Sequence, residues 1–182
     1  MGTQYIAFLR AINVGGRVVK MTELKRVFEA ARLSDVATFI ASGNVIFTST
    51  SKDADKLGAK IESALQAALG YSVVTMVRTT GEVAAVAEYQ AFLPKDIGAA
   101  SIYVGFLKAA PAAEAVRKAL AMRTDIDDLH VRGREVYWLA RKNFAESSIT
   151  GAAVEKTLAT PVTFRNINTV RRLAAKYAAR TG

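Results

Sequence analysis

Three polar clusters carry most of the recognition chemistry that this chain offers. The first is Arg10-Ala11-Ile12-Asn13-Val14-Gly15-Gly16-Arg17-Val18-Val19-Lys20. A helix entered from a Gly-Gly loop presents bare backbone N–H groups at the positive end of its dipole, and such ends attract anions. Arg10 and Lys20 add charge on either side of Gly15 and Gly16, and Asn13 both donates and accepts. Together they make a cradle suited to a phosphate or a carboxylate. It is not a P-loop, because G-x-x-x-x-G-K-[ST] is absent, and it lacks G-x-G-x-x-G. Gly-Gly is also plain loop chemistry. The second cluster is Ser42-Gly43-Asn44 and the third is Arg165-Asn166-Ile167-Asn168. Both supply amide and hydroxyl groups for the same anion, although Ser-Gly-Asn is ordinary at a turn and Asn166 ordinary as a helix N-cap. The candidate ligand-binding residues are therefore Arg10, Asn13, Gly15, Gly16, Lys20, Ser42, Gly43, Asn44, Arg165, Asn166 and Asn168.

Reactive groups are scarce. The 182 residues include no cysteine and one histidine, which removes disulfides, thiolate metal sites and cysteine nucleophiles. The alternation Leu129-His130-Val131 puts His130 on the strand face opposite two apolar neighbours, a hydrogen-bonded or exposed position. Asp125, Asp127 and Asp128 cluster before a strand without the spacing of a cation site, so solvation in a turn is expected. Ser42 has no evident general base. The chain carries no catalytic motif, and neither a cofactor nor a metal is expected.

The chain carries 25 Lys/Arg against 16 Asp/Glu, a formal charge of +9. Residues 1–98 hold 11 basic and 9 acidic side chains, a net of +2, and residues 99–182 hold 14 and 7, a net of +7. A basic half points to an anionic partner, a small molecule or a nucleic acid, or simply to a solvated surface. The apolar run Tyr5–Leu9 stops at Arg10, too short for a signal sequence or a membrane span. A cytoplasmic protein with no membrane partner is expected.

Positioning the clusters falls to a repeated pattern. Tyr5-Ile6-Ala7-Phe8-Leu9-Arg10-Ala11 reads nearly as Tyr103-Val104-Gly105-Phe106-Leu107-Lys108-Ala109. After each comes a helical stripe: Leu24, Val27, Phe28 and Ala31 in one half, Val116, Ala119 and Leu120 in the other. Hairpins follow, Val36–Ala41 with Val45–Thr48 and Leu129–Arg132 with Val136–Ala140, turning on Gly43 and Gly133. Second helices are expected near Asp53–Leu69, with Leu57, Ile61, Leu65 and Leu69 on one stripe, and near Gly151–Leu158, then last strands at Val74–Arg78 and Val162–Arg165. Thr79-x-x-Glu82 forms a capping box for the helix beyond the first unit. Asn166 caps its counterpart, whose stripe is Val170, Leu173, Ala174, Tyr177 and Ala178. The expectation is an α+β fold of two tandem ferredoxin-like βαββαβ units, each followed by a helix. The first repeat spans residues 1–97 and the second 98–182, with Pro94–Ala100 as the boundary.

The same strand order occurs in RNA-recognition domains, which stack bases on aromatics of the central strands. Ile102–Leu107 and Arg132–Trp138 fall at the matching places, with Tyr103, Phe106, Tyr137 and Trp138 as the rings. The [KR]-G-[FY]-[GA]-F pattern is absent, and the same rings also suit a core. RNA or single-stranded nucleic acid binding through the basic second repeat is thus the alternative to a small anion.

Leu9-Arg10-Ala11-Ile12-Asn13-Val14-Gly15-Gly16, Lys20-Met21, Ser42-Gly43-Asn44-Val45-Ile46-Phe47 and Thr163-Phe164-Arg165-Asn166-Ile167-Asn168-Thr169 together resemble the bacterial domain-of-unknown-function 1697 family. The resemblance spans nearly the whole chain. It implies a duplicated ferredoxin-like fold and no activity. Ala11 stands where the family usually has glycine, and Ile167 where it usually has tryptophan.

Overall fold

A computed structural model describes residues 2–13, 18–40, 43–143 and 146–177. The chain divides into two compact units, residues 1–84 with 176–182, and residues 85–175. The fold is mixed α+β, with two four-stranded antiparallel sheets and seven helices among the described residues.

The first unit runs β1 (Thr3–Leu9), α1 (Met21–Ala30), β2 (Ser34–Thr38), β3 (Asn44–Ser49), α2 (Ala54–Leu69) and β4 (Thr75–Thr79). Its sheet has the order β2-β3-β1-β4, every neighbour antiparallel. Tyr5 through Leu9 are all buried, so β1 is apolar on both faces and reads as a continuous hydrophobic run instead of an alternating one. Tyr5, Ala7 and Leu9 face a core built from Leu24, Val27 and Phe28 of α1 and Leu57, Ile61 and Leu65 of α2. The expected stripes supply these contacts. Burying each large apolar side chain contributes about 1.5–3 kcal/mol. Tyr5 and Phe47 pair across the strands with their rings stacked at 5.6 Å. Asp53 ends its strand-like approach by accepting from the Lys56 N–H at 3.0 Å, and Gly70, at φ +78°, closes α2. The acceptor role holds the Asp53 carboxyl below its ordinary range.

α3 (Thr80–Glu88) follows β4 directly. The capping box is present: Glu82 N–H donates to Thr79 Oγ1 at 3.1 Å, and Thr79 N–H donates to Glu82 Oε2 at 2.7 Å. The expected boundary segment contains a short helix, α4 (Pro94–Ile97), started by its proline.

The second unit continues with β5 (Ser101–Leu107), α5 (Ala113–Leu120), β6 (Asp127–Arg132), β7 (Glu135–Ala140), α6 (Gly151–Leu158), β8 (Val162–Asn166) and α7 (Ile167–Tyr177). The sheet order is β6-β7-β5-β8. The pairings of its central strand match those of the first sheet residue for residue, while the register shift between Ser34 and Ala37 in β2 has no counterpart in β6. Tyr5 pairs Phe47 and Thr79 where Tyr103 pairs Trp138 and Asn166; Ile6 pairs Arg78 where Val104 pairs Arg165. Each second helix also sends a glutamate to the start of the last strand. Thr75 N–H donates to Glu62 at 2.8 Å and Val162 N–H to Glu155 at 2.9 Å. Of the expected α7 stripe, Val170, Leu173 and Tyr177 are buried and Ala174 is half-buried, while Ala178 lies outside the described residues.

Two expectations need correcting. β2 spans Ser34–Thr38 instead of Val36–Ala41: the left-handed Arg32 (φ +57°) ends the turn after α1 early, and the left-handed Asp35 (φ +51°) falls inside the strand, where its pairing with β3 shifts register between Ser34 and Ala37. The Asp127 carboxylate is not solvated in a turn. It is 1% exposed and accepts from Trp138 Nε1 at 2.7 Å, Ser147 Oγ at 2.7 Å and Thr124 Oγ1 at 3.2 Å. Its charge is spread over three donors drawn from three chain segments, which is how a buried carboxylate is tolerated.

Removing that acceptor leaves buried donors unmet. Asp127→Ala should lower unfolding stability by about 3–4 kcal/mol, and Asp127→Asn by less, in urea titrations followed by circular dichroism. At the centre of β5, a Cβ on Gly105 would lie 2.6 Å from Val136 and 2.7 Å from both Phe164 and Val162. Gly105→Ala should therefore cost about 1–3 kcal/mol through overpacking, although alanine is the native residue at the matching position, Ala7.

Candidate functional site

β1 hands the chain to the first polar cluster under tight control. Leu9 N–H donates to Gly43 O at 2.8 Å and Arg10 N–H to Val74 O at 2.9 Å. These two bonds fix the departing backbone between the hairpin corner and the approach to β4. Ile12 is buried against Gly43, whose φ is +73°; a Cβ there would overlap the Ile12 side chain and sit 3.1 Å from Leu9 Cβ. Glycine at 43 is thus required twice over, by its backbone angle and by the close approach.

The next turn is left-handed at Ala11 (φ +55°) and Asn13 (φ +57°). Asparagine tolerates that region; for alanine it costs about 1–2 kcal/mol. The glycine usual at position 11 in the resembling family is the residue this geometry favours. Asn13 Oδ1 then accepts from Val19 N–H at 2.6 Å. One side chain closes the loop by joining its two arms across six residues, with Arg10 before the closure and Lys20 after it. Lys20 is exposed and stands at the N-cap of α1, where its side chain caps nothing. Its carbonyl accepts from Glu23 and Leu24 N–H. The first turn of α1 therefore receives no side-chain oxygen from its N-cap residue, the usual arrangement being Ser, Thr, Asp or Asn.

The structure brings Arg10, Asn13, Lys20 and Gly43 to the same end of β1 within the first unit. Gly15, Gly16 and Ser42 lie outside the described residues. Asn44 is close by but fully buried; its Nδ2 donates to Phe39 O at 3.1 Å while Phe39 N–H donates to Asn44 O at 2.9 Å. That pair closes the hairpin, so the Asn44 amide serves the turn.

In the second unit Arg165 lies in β8, buried, with Nη1 donating to Thr163 Oγ1 at 2.8 Å and Phe164 O at 2.9 Å. Burial lowers its pKa to about 10, so it remains a cation at neutral pH. Asn166 Oδ1 accepts from Asn168 N–H at 2.9 Å, the capping role expected of it. Asn168 is exposed. Arg78 was not among the sequence candidates. It occupies the register position of Arg165, is 2% exposed and donates through Nη1 to Val77 O at 3.0 Å. The signal was present in the alignment of Val77-Arg78 with Phe164-Arg165. A buried arginine at this position is a property of both sheets.

The rings of the nucleic-acid alternative are packed. Phe106, Tyr137 and Trp138 are buried and Tyr103 half-buried. Tyr137 Oη donates to Val86 O at 3.4 Å, and burial raises the Tyr137 pKa above its ordinary value. Trp138 meets Phe164 edge to face at 5.7 Å. Stacking on bases needs exposed ring faces, which these three lack. His130 is half-buried and hydrogen-bonded, with Nε2 2.9 Å from the Tyr89 hydroxyl. Among the described residues no group of three or more His, Cys, Asp or Glu side chains is placed to hold a metal ion. No described helix is long and apolar enough to cross a membrane.

Comparison with known proteins agrees with this architecture. The conserved bacterial protein SP0830 from Streptococcus pneumoniae has a solved structure that superposes with a TM-score of 0.69 at 22% identity, covering 98% of this chain and 99% of that one. At that identity the likeness is one of fold. Among curated proteins none matches the chain. Residues 2–137 match the family described as "Protein of unknown function (DUF1697)". The Leu9–Gly16 motif, its left-handed turn and the Gly43 corner all fall inside that match, and the chain belongs to the DUF1697 family.

Proposed function

We propose that this protein binds a small phosphate- or carboxylate-bearing anion at the loop joining β1 to α1, on a scaffold of two ferredoxin-like repeats, residues 1–97 and 98–182, in the cytoplasm. The repeat assignment is supported by the order strand, helix, hairpin, helix, strand in each half and by the matching pairings of β1 and β5. The binding reading rests on one observation, the closure of Asn13 Oδ1 on Val19 N–H at 2.6 Å. It joins the arm bearing Arg10 to the arm bearing Lys20 beside a helix start that its N-cap residue leaves without a side-chain oxygen. An anion in the loop would meet cationic side chains and the positive end of α1 together. The binding residues are Arg10, Asn13 and Lys20, with Gly43 at the adjoining corner; Gly15, Gly16 and Ser42 join them as candidates from the sequence alone. Asn44, Arg165, Asn166 and Asn168 are assigned to holding local structure through the bonds described above.

No nucleophile and base are paired in this set, so the reading is one of binding without chemistry. Titration calorimetry with inorganic phosphate and pyrophosphate at low salt tests it. Arg10→Ala and Lys20→Ala should each weaken binding by about 5- to 10-fold, the scale of a lost charge-assisted hydrogen bond. Asn13→Ala, which opens the loop without removing charge, should weaken it by a similar factor. Equal affinity in wild type and all three variants would overturn the proposal. A complex formed instead with a single-stranded RNA oligonucleotide, weakening steeply with salt, would favour the alternative partner.

A further inference from the structure

The second unit contains a cavity of about 250 Å³ in which apolar walls meet charges of both signs. Its floor is the sheet face bearing Ile102 and Tyr137. Tyr89 and Phe92, from the segment after α3, form one wall, and Ile167 of α7 forms another. Glu88, the last residue of α3, and Arg171 of α7 are the charged members of the lining, and both are exposed. Ile167 and Arg171 are four residues apart on one helix, so a single face carries an apolar contact and a cation one turn above it.

The walls are held before any ligand arrives. The Tyr89 ring lies 5.3 Å from the Tyr137 ring and 4.1 Å beneath the Arg132 guanidinium, with its hydroxyl 2.9 Å from His130 Nε2. Tyr137 is tied through its own hydroxyl to Val86 O. Both phenol groups are engaged, and ring surface is what remains for a guest. Rigid walls of this kind lower the ordering cost of binding. An apolar cavity of about 150 Å³ accepts a benzene ring; the larger volume here leaves room for one ring or branched side chain with a short polar head.

The geometry points to a small zwitterion with an apolar body, an apolar α-amino acid in its simplest form. The body occupies the space between Ile102, Phe92 and the Tyr89–Tyr137 pair, the carboxylate meets Arg171, and the ammonium meets Glu88. A simple carboxylic acid would use Arg171 and leave Glu88 repelling it; a simple amine would do the reverse. This site lies wholly in the second unit and is independent of the loop proposed above.

Three probes share one apolar body and differ only in charge: L-phenylalanine, 3-phenylpropionate and phenethylamine. Saturation-transfer NMR and calorimetry on the full chain should show L-phenylalanine binding about tenfold more tightly than either single-charge analogue. Arg171→Gln should weaken L-phenylalanine and 3-phenylpropionate, Glu88→Gln should weaken L-phenylalanine and phenethylamine, and Arg10→Ala should change none of them. Both rim residues are exposed, so these variants leave the core intact. Ala91→Trp, which fills the half-exposed mouth, should abolish binding. The inference is overturned by any of three results: no saturable binding of L-phenylalanine up to about 10 mM, equal binding of all three probes, or binding that survives Ala91→Trp.

Discussion

A strand that loses both faces to the interior has no solvent face on which to carry function, and its neighbours inherit that restriction. β1 and β5 are such strands: Ile6, Ala7 and Phe8 are fully buried, as are Val104 and Phe106 on one face of β5 and Leu107 on the other. Each sits between two partners in a four-stranded sheet, and each passes close to large side chains at its midpoint. The midpoint residue must then be small, alanine in one sheet and glycine in the other, since even one methyl group at Gly105 would crowd three side chains. Polar residues are displaced to strand ends, helix starts and hairpin corners. The Arg10–Asn13 segment, the Gly43 corner and the Asn166 cap all stand at such ends.

Polar groups inside the sheets obey the matching rule that a buried donor or acceptor needs a partner. Asn44 spends its amide on Phe39 O, Asp127 collects three side-chain donors, and Arg165 gives Nη1 to Thr163 and Phe164 O. The recurrence of a buried arginine at one register position in both sheets marks it as part of how the last strand is held. The same economy applies at Glu62 and Glu155, which each take the first N–H of the following strand. Such bonds join helix to strand where the ladder alone cannot reach. Side chains bound into these networks serve structure, and charged side chains exposed at helix ends and rims, Lys20, Glu88 and Arg171 among them, are where ligand chemistry has room.

Loop closure by Asn13 illustrates how little is needed to organise a polar segment. A single side-chain oxygen bonded to Val19 N–H turns the passage from β1 to α1 into a closed ring of chain. Left-handed backbone at Ala11 and Asn13 makes the turn possible, at a cost carried by Ala11 alone. Rigid strands on one side and a helix start on the other then place two cations about a common loop.

Local rules were enough for much of this. The period of Leu57, Ile61 and Leu65 placed α2 to within a residue, Thr79 and Glu82 formed their capping box, and the Tyr-x-x-Phe-Leu strings marked the two central strands. Each depends on residues within one or two turns of each other, where spacing alone dictates geometry. Gly43 and Asn166 were legible for the same reason. Residues whose roles depend on distant partners were not. Asp127 looked like a solvated turn acid because Trp138 and Ser147, its main donors, arrive from elsewhere in the chain. The rings of Phe106, Tyr137 and Trp138 fitted a stacking platform or a core equally well, since alternation assigns a face to each ring and says nothing of what covers that face. The cavity beside Tyr89 draws on six separate elements and segments, so no local pattern announces it. Short-range geometry was written in the order of residues; which polar groups are buried, and which charges remain at a rim, was decided only when those segments packed together.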